Sequence, residues 1–201
     1  VPLCGHATLA TAAILYEYFK EKGKELRFQT LSGVLKTRYR EGAIEMDFPF
    51  YHPQPISLPE ETLRSLALPA IRDSRYAAEL RYWLFSLESE EEVRRYKPDF
   101  SHWKSLVFPC EVSGIILTAE SGGEHDFVSR FFAPWLGVDE DPVTGSSHTV
   151  LGPYWQEKTG KRRLRAYQCS KRGGEMLLTV QEERVRIEGR YALVLEGVLK
   201  A

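Results

Sequence analysis

Two short stretches of the chain, residues 2–8 and 140–147, place a glycine beside small polar residues directly before segments that predict helices. The first backbone N–H groups of a helix have no partner within it, so a helix start of this kind can hold an anion. The two stretches lie about 140 residues apart. The pattern therefore predicts two half-folds that face one site, with a helix start contributed by each.

Two titratable residues accompany these helix starts. His6 follows Gly5 in the first stretch, and Asp141 lies four residues before Gly145 in the second. A small carboxylate held between two helix starts could exchange a proton with a base and an acid placed in this way. The alternative is that His6 is a satisfied residue at a helix start, and that Asp141 and Thr144 only form a turn and a cap.

Composition excludes several other classes of function. The 201 residues carry a formal net charge of -1, which gives no general attraction to nucleic acid or to an anionic membrane. No apolar run approaches the ~20 residues that a membrane helix needs, and three widely spaced cysteines do not form a disulfide framework. No metal-ligand spacing and no phosphate-binding or dinucleotide-binding glycine pattern occurs, so no metal and no cofactor are expected. We expect a reduced, soluble, cytoplasmic protein.

One segment of the chain is rich in Lys and Arg, in contrast to the near-zero net charge of the whole. Six basic residues lie close together in the sequence: Lys161, Arg162, Arg163, Arg165, Lys171 and Arg172. They could form a patch for phosphate or nucleic acid, but no aromatic residues are interleaved with them, which favours a solvated strand edge.

Apolar patterning and turn residues predict the elements that position the two stretches. Residues 6–19 are apolar on nearly every face and predict a buried helix, and residues 145–158 predict a second central helix, with Pro153 in an early turn or at a kink. Short helices are expected at 59–68 and before Tyr96. Strands are expected at 26–31, 34–39, 43–48, 81–87, 114–119, 126–132, 164–169, 175–180, 184–187 and 191–195. The order strands, helix, strands therefore occurs twice, with the first copy lacking its opening strands.

Five segments of the chain resemble motifs of the PhzF-like (phenazine-biosynthesis-like) proteins. They are residues 1–10, 129–135, 140–148, 168–175 and 194–197, which match in order over nearly the whole chain. The resemblance implies an α+β fold of the diaminopimelate-epimerase type, with two similar lobes, each a mostly antiparallel sheet wrapped around a central helix. We expect a first lobe at 1–75, incomplete at its N-terminus, and a second at 76–201, whose last strands could cross back to the first.

The same resemblance implies cofactor-independent isomerase or epimerase chemistry on a small carboxylic acid, by acid–base proton transfer in a homodimer. His6 and Asp141 match the family's active-site His and Asp, and Gly5, Gly145 and Ser146 match groups that line its substrate pocket. The family's principal acid/base is a Glu that precedes the first motif. The chain begins without Met, one turn before a predicted helix. We therefore expect residues 1–201 to be a fragment or incomplete gene model and catalytically inactive.

Two other functions remain open at this point. The chain could be a protein-interaction module with a vestigial pocket. It could also be a thiol-type amino-acid racemase, in which a cysteine precedes a glycine at each helix start. Cys4 fits that pattern, whereas Thr144 does not, because a threonine hydroxyl is a poor substitute for a thiolate.

Overall fold

The computed structural model describes residues 5–30 and 33–198. Its helices are α1 Gly5–Tyr18, α2 Glu60–Leu66, α3 Glu90–Arg95, α4 Phe100–Ser105 and α5 Gly145–Thr159. Its strands are β1 Leu26–Thr30, β2 Gly33–Arg40, β3 Ala43–Pro49, β4 Gln54–Pro55, β5 Ile71–Ala77, β6 Tyr82–Leu87, β7 Gly114–Glu120, β8 Phe127–Phe132, β9 Arg163–Gln168, β10 Gly174–Gln181 and β11 Arg184–Gly189. A single 3-10 turn, Pro134–Leu136, follows β8 in the part of the chain that is described.

The described strands form one sheet in the order β1-β2-β3-β11-β10-β9-β8-β7-β6-β5-β4. Neighbouring strands are antiparallel except at β6–β7 and β8–β9, which are parallel. The α+β class with a mostly antiparallel sheet is therefore confirmed. β11 pairs with β3, so the sheet runs without a break from the first strands of the chain to the last. The division into lobes at residue 75 stays a prediction.

The apolar core lies on both faces of this sheet. On one face α1 and α5 pack together against side chains such as Phe48, Leu178 and Ile187. On the other face α2, α3 and α4 cover the middle strands, and Trp83, Trp103 and Phe132 are fully buried there. β6, β7 and β8 are consequently buried on both faces for almost their whole length.

The meander predicted from the sequence is present as β1, β2 and β3. Gly42 provides the turn between β2 and β3 with a φ of +86°, which a side chain would disfavour. The strand predicted at 26–31 ends at Thr30 in the described residues, because Leu31 and Ser32 lie outside them.

The second central helix, α5, is buried from Ser146 to Trp155, as predicted. Gly152 lets it approach the sheet closely, since a methyl group there would lie 3.3 Å from side-chain atoms of Val180 and Val185.

Pro153 occupies the ninth position of α5, so of its two expected places the early turn is wrong and the kink stays a prediction. Pro153 has no N–H to give to the carbonyl of Thr149 one turn earlier. The backbone N–H of Tyr51, between β3 and β4, donates to that carbonyl instead at 3.2 Å. An external donor therefore replaces the missing helical bond.

The expectation that α1 is buried on every face is also wrong. Its buried residues are Gly5, Thr8, Ala12, Ala13 and Tyr16, which all belong to the side that packs toward the sheet and α5. Ile14 and Tyr18 on the other side, and Phe19 just after the helix, are 39%, 44% and 66% exposed. The sheet formed by the described residues covers one side of α1 and leaves the other open.

The strand expected at 191–195 is absent from the described structure, where residues 190–198 follow β11 without strand pairing. Side-chain contacts hold the beginning of this tail against α1 instead. The hydroxyl of Tyr191 donates to Glu17 at 2.5 Å, and its ring packs against the core. Alternating apolar residues predicted a strand, but no neighbouring described strand pairs with this segment.

Candidate functional site

The two predicted helix starts touch each other. A methyl group built on Gly5 would lie 3.5 Å from the Cα of Gly145, and one built on Gly145 would lie 3.5 Å from the Cα of Gly5. The ring of Phe48 closes one side of this contact, 3.6 Å from the methyl position of Gly5. Glycine at both positions therefore brings the backbones of α1 and α5 together with nothing between them.

The start of α5 is not capped by the residue in the capping position. Thr144 is extended there, with φ −117° and ψ 106°, and its side chain makes no capping bond to the helix. Its hydroxyl donates to Oδ2 of Asp141 at 2.5 Å instead. The Thr144 side chain therefore leaves the first N–H groups of α5 unoccupied, and such groups at a helix start can hold an anion.

Asp141 reaches the helix starts through this bond. It is half-buried, and its carboxylate contacts Thr144, the residue that precedes Gly145. Gly145 touches Gly5, and His6 is the next residue after Gly5. The structure therefore places Asp141, Gly145 and Gly5 in one chain of contacts that reaches the backbone beside His6. A direct approach of His6 to Asp141 stays a prediction.

A cavity of about 1040 Å³ opens beside the helix starts. Gly5, His6 and Gly145 line it, and His6 is exposed on its wall. Four of the six basic residues singled out in the sequence also line it, and all four are exposed. They are Lys161, Arg163, Arg165 and Arg172.

Ser146 points away from the cavity and into the protein. It is 9% exposed, and its Oγ lies 3.1 Å from the hydroxyl of Tyr82 at the start of β6. Burial raises the pKa of Tyr82, and the negative charge of Asp141 acts in the same direction. The Ser146 hydroxyl is therefore engaged with Tyr82, while the backbone at Gly145 forms part of the cavity wall.

Two buried side chains that the sequence analysis did not single out fix the loop before α5. Arg130 of β8 donates to both carboxylate oxygens of Glu140, at 2.7 and 2.9 Å, and to the carbonyls of Val93 and Tyr96. Gln168 at the end of β9 is fully buried and bonds to the backbone of Asp141 and Thr144. Both belong to segments that resemble family motifs, which was the one available signal.

His148, one turn into α5, is fully buried, and burial lowers its pKa to about 4. Its Nδ1 lies 2.7 Å from the carbonyl of Thr144, while its Nε2 has no hydrogen-bond partner among the described residues. A neutral imidazole that donates from Nδ1 accounts for this arrangement. His148 is therefore a structural support for the helix start.

Three further predictions concern groups elsewhere in the chain. Cys4, the residue on which a thiol racemase would depend, lies outside the described residues. Within them, no group of three His, Cys, Asp or Glu side chains is arranged to hold a metal ion. None of the described helices is long and apolar enough to cross a membrane.

Comparison with known proteins gives one consistent result. The family described as "Phenazine biosynthesis-like protein" matches residues 1–197. The chain is similar to a Bos taurus "Phenazine biosynthesis-like domain-containing protein", with 44% identity over the whole chain and 74% of that protein. It is 44% identical to a Pseudomonas aeruginosa protein named an uncharacterized isomerase, again covering 74% of it. A crystal structure of a putative phenazine biosynthesis protein from Clostridium difficile matches the whole chain with 37% identity and a TM-score of 0.88, covering 74% of that protein.

Proposed function

Because this chain belongs to the phenazine biosynthesis-like family, we propose that it is an isomerase or epimerase that moves a proton within a small carboxylic acid. The observation that carries the proposal is the contact between the two helix starts at Gly5 and Gly145. A relative that is 44% identical and named an isomerase supports the reaction class.

The substrate carboxylate would bind at the uncapped start of α5, where N–H groups and the helix dipole favour negative charge. A base removes a proton from the adjacent carbon, and the electron pair passes onto the carboxylate as an enolate. The same helix starts stabilise that charge because they are fixed before the reaction begins. An acid then returns a proton to carbon. We assign these proton transfers to His6 and Asp141 together with the Glu expected outside residues 1–201.

The environment of Asp141 supports its part in this scheme. The Thr144 hydroxyl donates to one of its oxygens and so holds the carboxylate beside the start of α5. No Lys or Arg forms an ion pair with it among the described residues, whereas Asp139 pairs with Lys104 and Glu140 with Arg130. Of these three consecutive carboxylates, Asp141 is the one left for a substrate.

The finer expectations belong to the same proposal. They are the two lobes at 1–75 and 76–201, a homodimer, a cytoplasmic location and a further acid/base, a Glu outside residues 1–201. The proposal includes the inactivity of the 201-residue polypeptide. The test is to compare its turnover with that of a polypeptide extended to the length of the relatives. Equal turnover by the two polypeptides would contradict the role given to that Glu.

Solvent deuterium exchange tests the central reaction. The extended protein is incubated in D₂O with a panel of small carboxylic acids, and incorporation of deuterium on carbon is followed by NMR. His6→Gln and Asp141→Asn are each expected to slow exchange by about 100-fold or more, as for loss of a general acid or base. Matched controls are His102→Gln, on the exposed surface of α4, and Asp139→Asn, which loses only an exposed ion pair.

The outcomes separate the two classes of function. Exchange that is lost in both site variants and kept in both controls supports the isomerase. If the extended protein catalyses exchange with none of the acids, the isomerase is contradicted and the protein-interaction module is favoured. Exchange that survives Asp141→Asn would remove Asp141 from the reaction.

A further inference from the structure

The amide of Gln168 can be oriented without ambiguity. Its Oε1 lies 2.8 Å from the backbone nitrogen of Thr144, which can only donate. Its Nε2 lies 2.6 Å from the backbone carbonyl of Asp141, which can only accept. Exchanging the two amide atoms would place donor against donor and acceptor against acceptor. The backbone thus fixes which atom is the nitrogen.

The second N–H of this amide then sets the direction of a hydroxyl. Nε2 lies 3.1 Å from Oγ1 of Thr144, so Gln168 donates to a lone pair of that oxygen. The Thr144 hydroxyl hydrogen is left to point at Oδ2 of Asp141, 2.5 Å away. Oδ2 is therefore occupied as an acceptor, whereas Oδ1 receives no hydrogen bond from the described residues.

We propose that Gln168 is a positioning residue of the site, which acts through the Thr144 hydroxyl to present Oδ1 of Asp141 as the proton-transferring oxygen. This inference rests on the proposed function, because it assigns an atom to that reaction. Gln168 is 0% exposed and Thr144 5% exposed, so water does not compete for either bond. A buried, fully paired network of this kind has one arrangement.

The loop before α5 is also held by contacts that involve neither Gln168 nor the Thr144 hydroxyl. Arg130 anchors Glu140, and the hydroxyl of Ser170 donates to the carbonyl of Pro142 at 2.7 Å. The backbone N–H of Asp141 donates to the carbonyl of Phe131 at 3.1 Å. Loss of the Thr144 hydroxyl alone therefore leaves the path of the loop in place and frees Asp141 to rotate.

Kinetics of deuterium exchange in the extended protein tests the proposal. Thr144→Val keeps the shape of the side chain and removes the hydroxyl, and Gln168→Leu removes both amide groups. Each is expected to lower kcat about 10- to 100-fold with KM changed less than threefold, since the carboxylate is misplaced while the helix starts still bind substrate. Thr144→Ser restores the hydroxyl and is expected to recover most of kcat. Gln181→Leu, at the exposed end of β10, is the matched control.

Two results would overturn the proposal. One is a Thr144→Val enzyme with the kcat of the wild type. The other is a double variant, Thr144→Val with Gln168→Leu, whose loss in kcat equals the product of the two single losses. Residues that act through one hydroxyl give a double variant no slower than the worse single one, so the expected cycle is strongly non-additive.

NMR of the unliganded, 15N-labelled protein separates this inference from the proposed function. The side-chain NH₂ protons of Gln168 are expected to exchange slowly with solvent, and one of them faster in Thr144→Val. Fast exchange of both protons in the wild type overturns the inference whatever the activity. Slow exchange in a protein that labels none of the acids overturns the proposed function, and the inference with it.

Discussion

Replacing Glu140 by Gln tests how firmly the loop before α5 is held. The side chain of Arg130 is 10% exposed and that of Glu140 is 21% exposed, so the pair is largely removed from water. Breaking a buried pair by removing one partner costs about 3–5 kcal/mol, because the other charge stays buried without compensation. The amide oxygen of Gln can still accept one bond, and two carbonyls still accept from Arg130, which retains about 1 kcal/mol. We therefore expect Glu140→Gln to lower the free energy of unfolding by about 2–4 kcal/mol.

Glu91→Gln is the matched control. Glu91 forms an ion pair with Arg95 on α3, and these side chains are 65% and 79% exposed. Exposed pairs of this kind contribute about 0.2–1 kcal/mol. Urea denaturation followed by circular dichroism measures both variants against the wild type, and the slope of the transition reports whether the unfolded states are comparable. Equal midpoints for Glu140→Gln and Glu91→Gln would refute the reasoning that burial makes the first pair important.

Three further predictions follow from single positions. Gly145→Ala is expected to keep the melting temperature within a few degrees, since among the described residues its methyl group meets Gly5 alone, at 3.5 Å. It is expected to raise KM about tenfold, because that methyl lies beside the N–H groups proposed to hold the carboxylate. Gly114→Ala is expected to lower the free energy of unfolding by about 1–3 kcal/mol, because its Cβ would lie 2.4 Å from the ring of Phe131. His148, with a folded-state pKa of about 4, stays neutral where the unfolded chain binds a proton. Stability should therefore fall by about 3 kcal/mol between pH 6.5 and pH 4, and urea titrations of His148→Leu should lack this part of the loss.

Each of these predictions has a contrary outcome. An unchanged KM in Gly145→Ala would show that substrate does not bind beside the start of α5. A stable Gly114→Ala would show that the Phe131 ring can move aside. A pH dependence unchanged in His148→Leu would assign the acid loss of stability to the carboxylates.

The parts of the fold that depend on neighbouring residues could be predicted from the sequence. The turn at Gly42, the helix start at Gly145 and the helix end at Gly160, whose φ is +72°, are each set by backbone freedom at one position. These signals are local, so they can be recognised in the sequence without knowledge of the tertiary contacts. The central position of α5 was expected from the repeated order of strands, helix and strands along the chain.

Features that depend on distant partners were not predictable in the same way. The open side of α1 was not predicted. Its apolar residues indicate that the helix should be covered, but they do not indicate which strands cover it. Gln168 and Arg130 were missed as site residues because their partners lie 10 to 37 residues away in the sequence and are mostly backbone atoms. A buried amide or guanidinium gives no periodic signal. The segments that resemble family motifs marked both regions, but not what either side chain does.

The bond from Tyr51 to the carbonyl of Thr149 has a consequence for the order in which the protein assembles. A helix with proline at its ninth position lacks one of its own backbone hydrogen bonds. Therefore α5 reaches its full stability only after the segment around Tyr51 has packed against it. Those two residues are 98 positions apart, which makes the helix a late product of a long loop closure rather than a local nucleus. The N-terminal half of α5 and the chain between β3 and β4 should consequently open and close as one cooperative unit in hydrogen exchange.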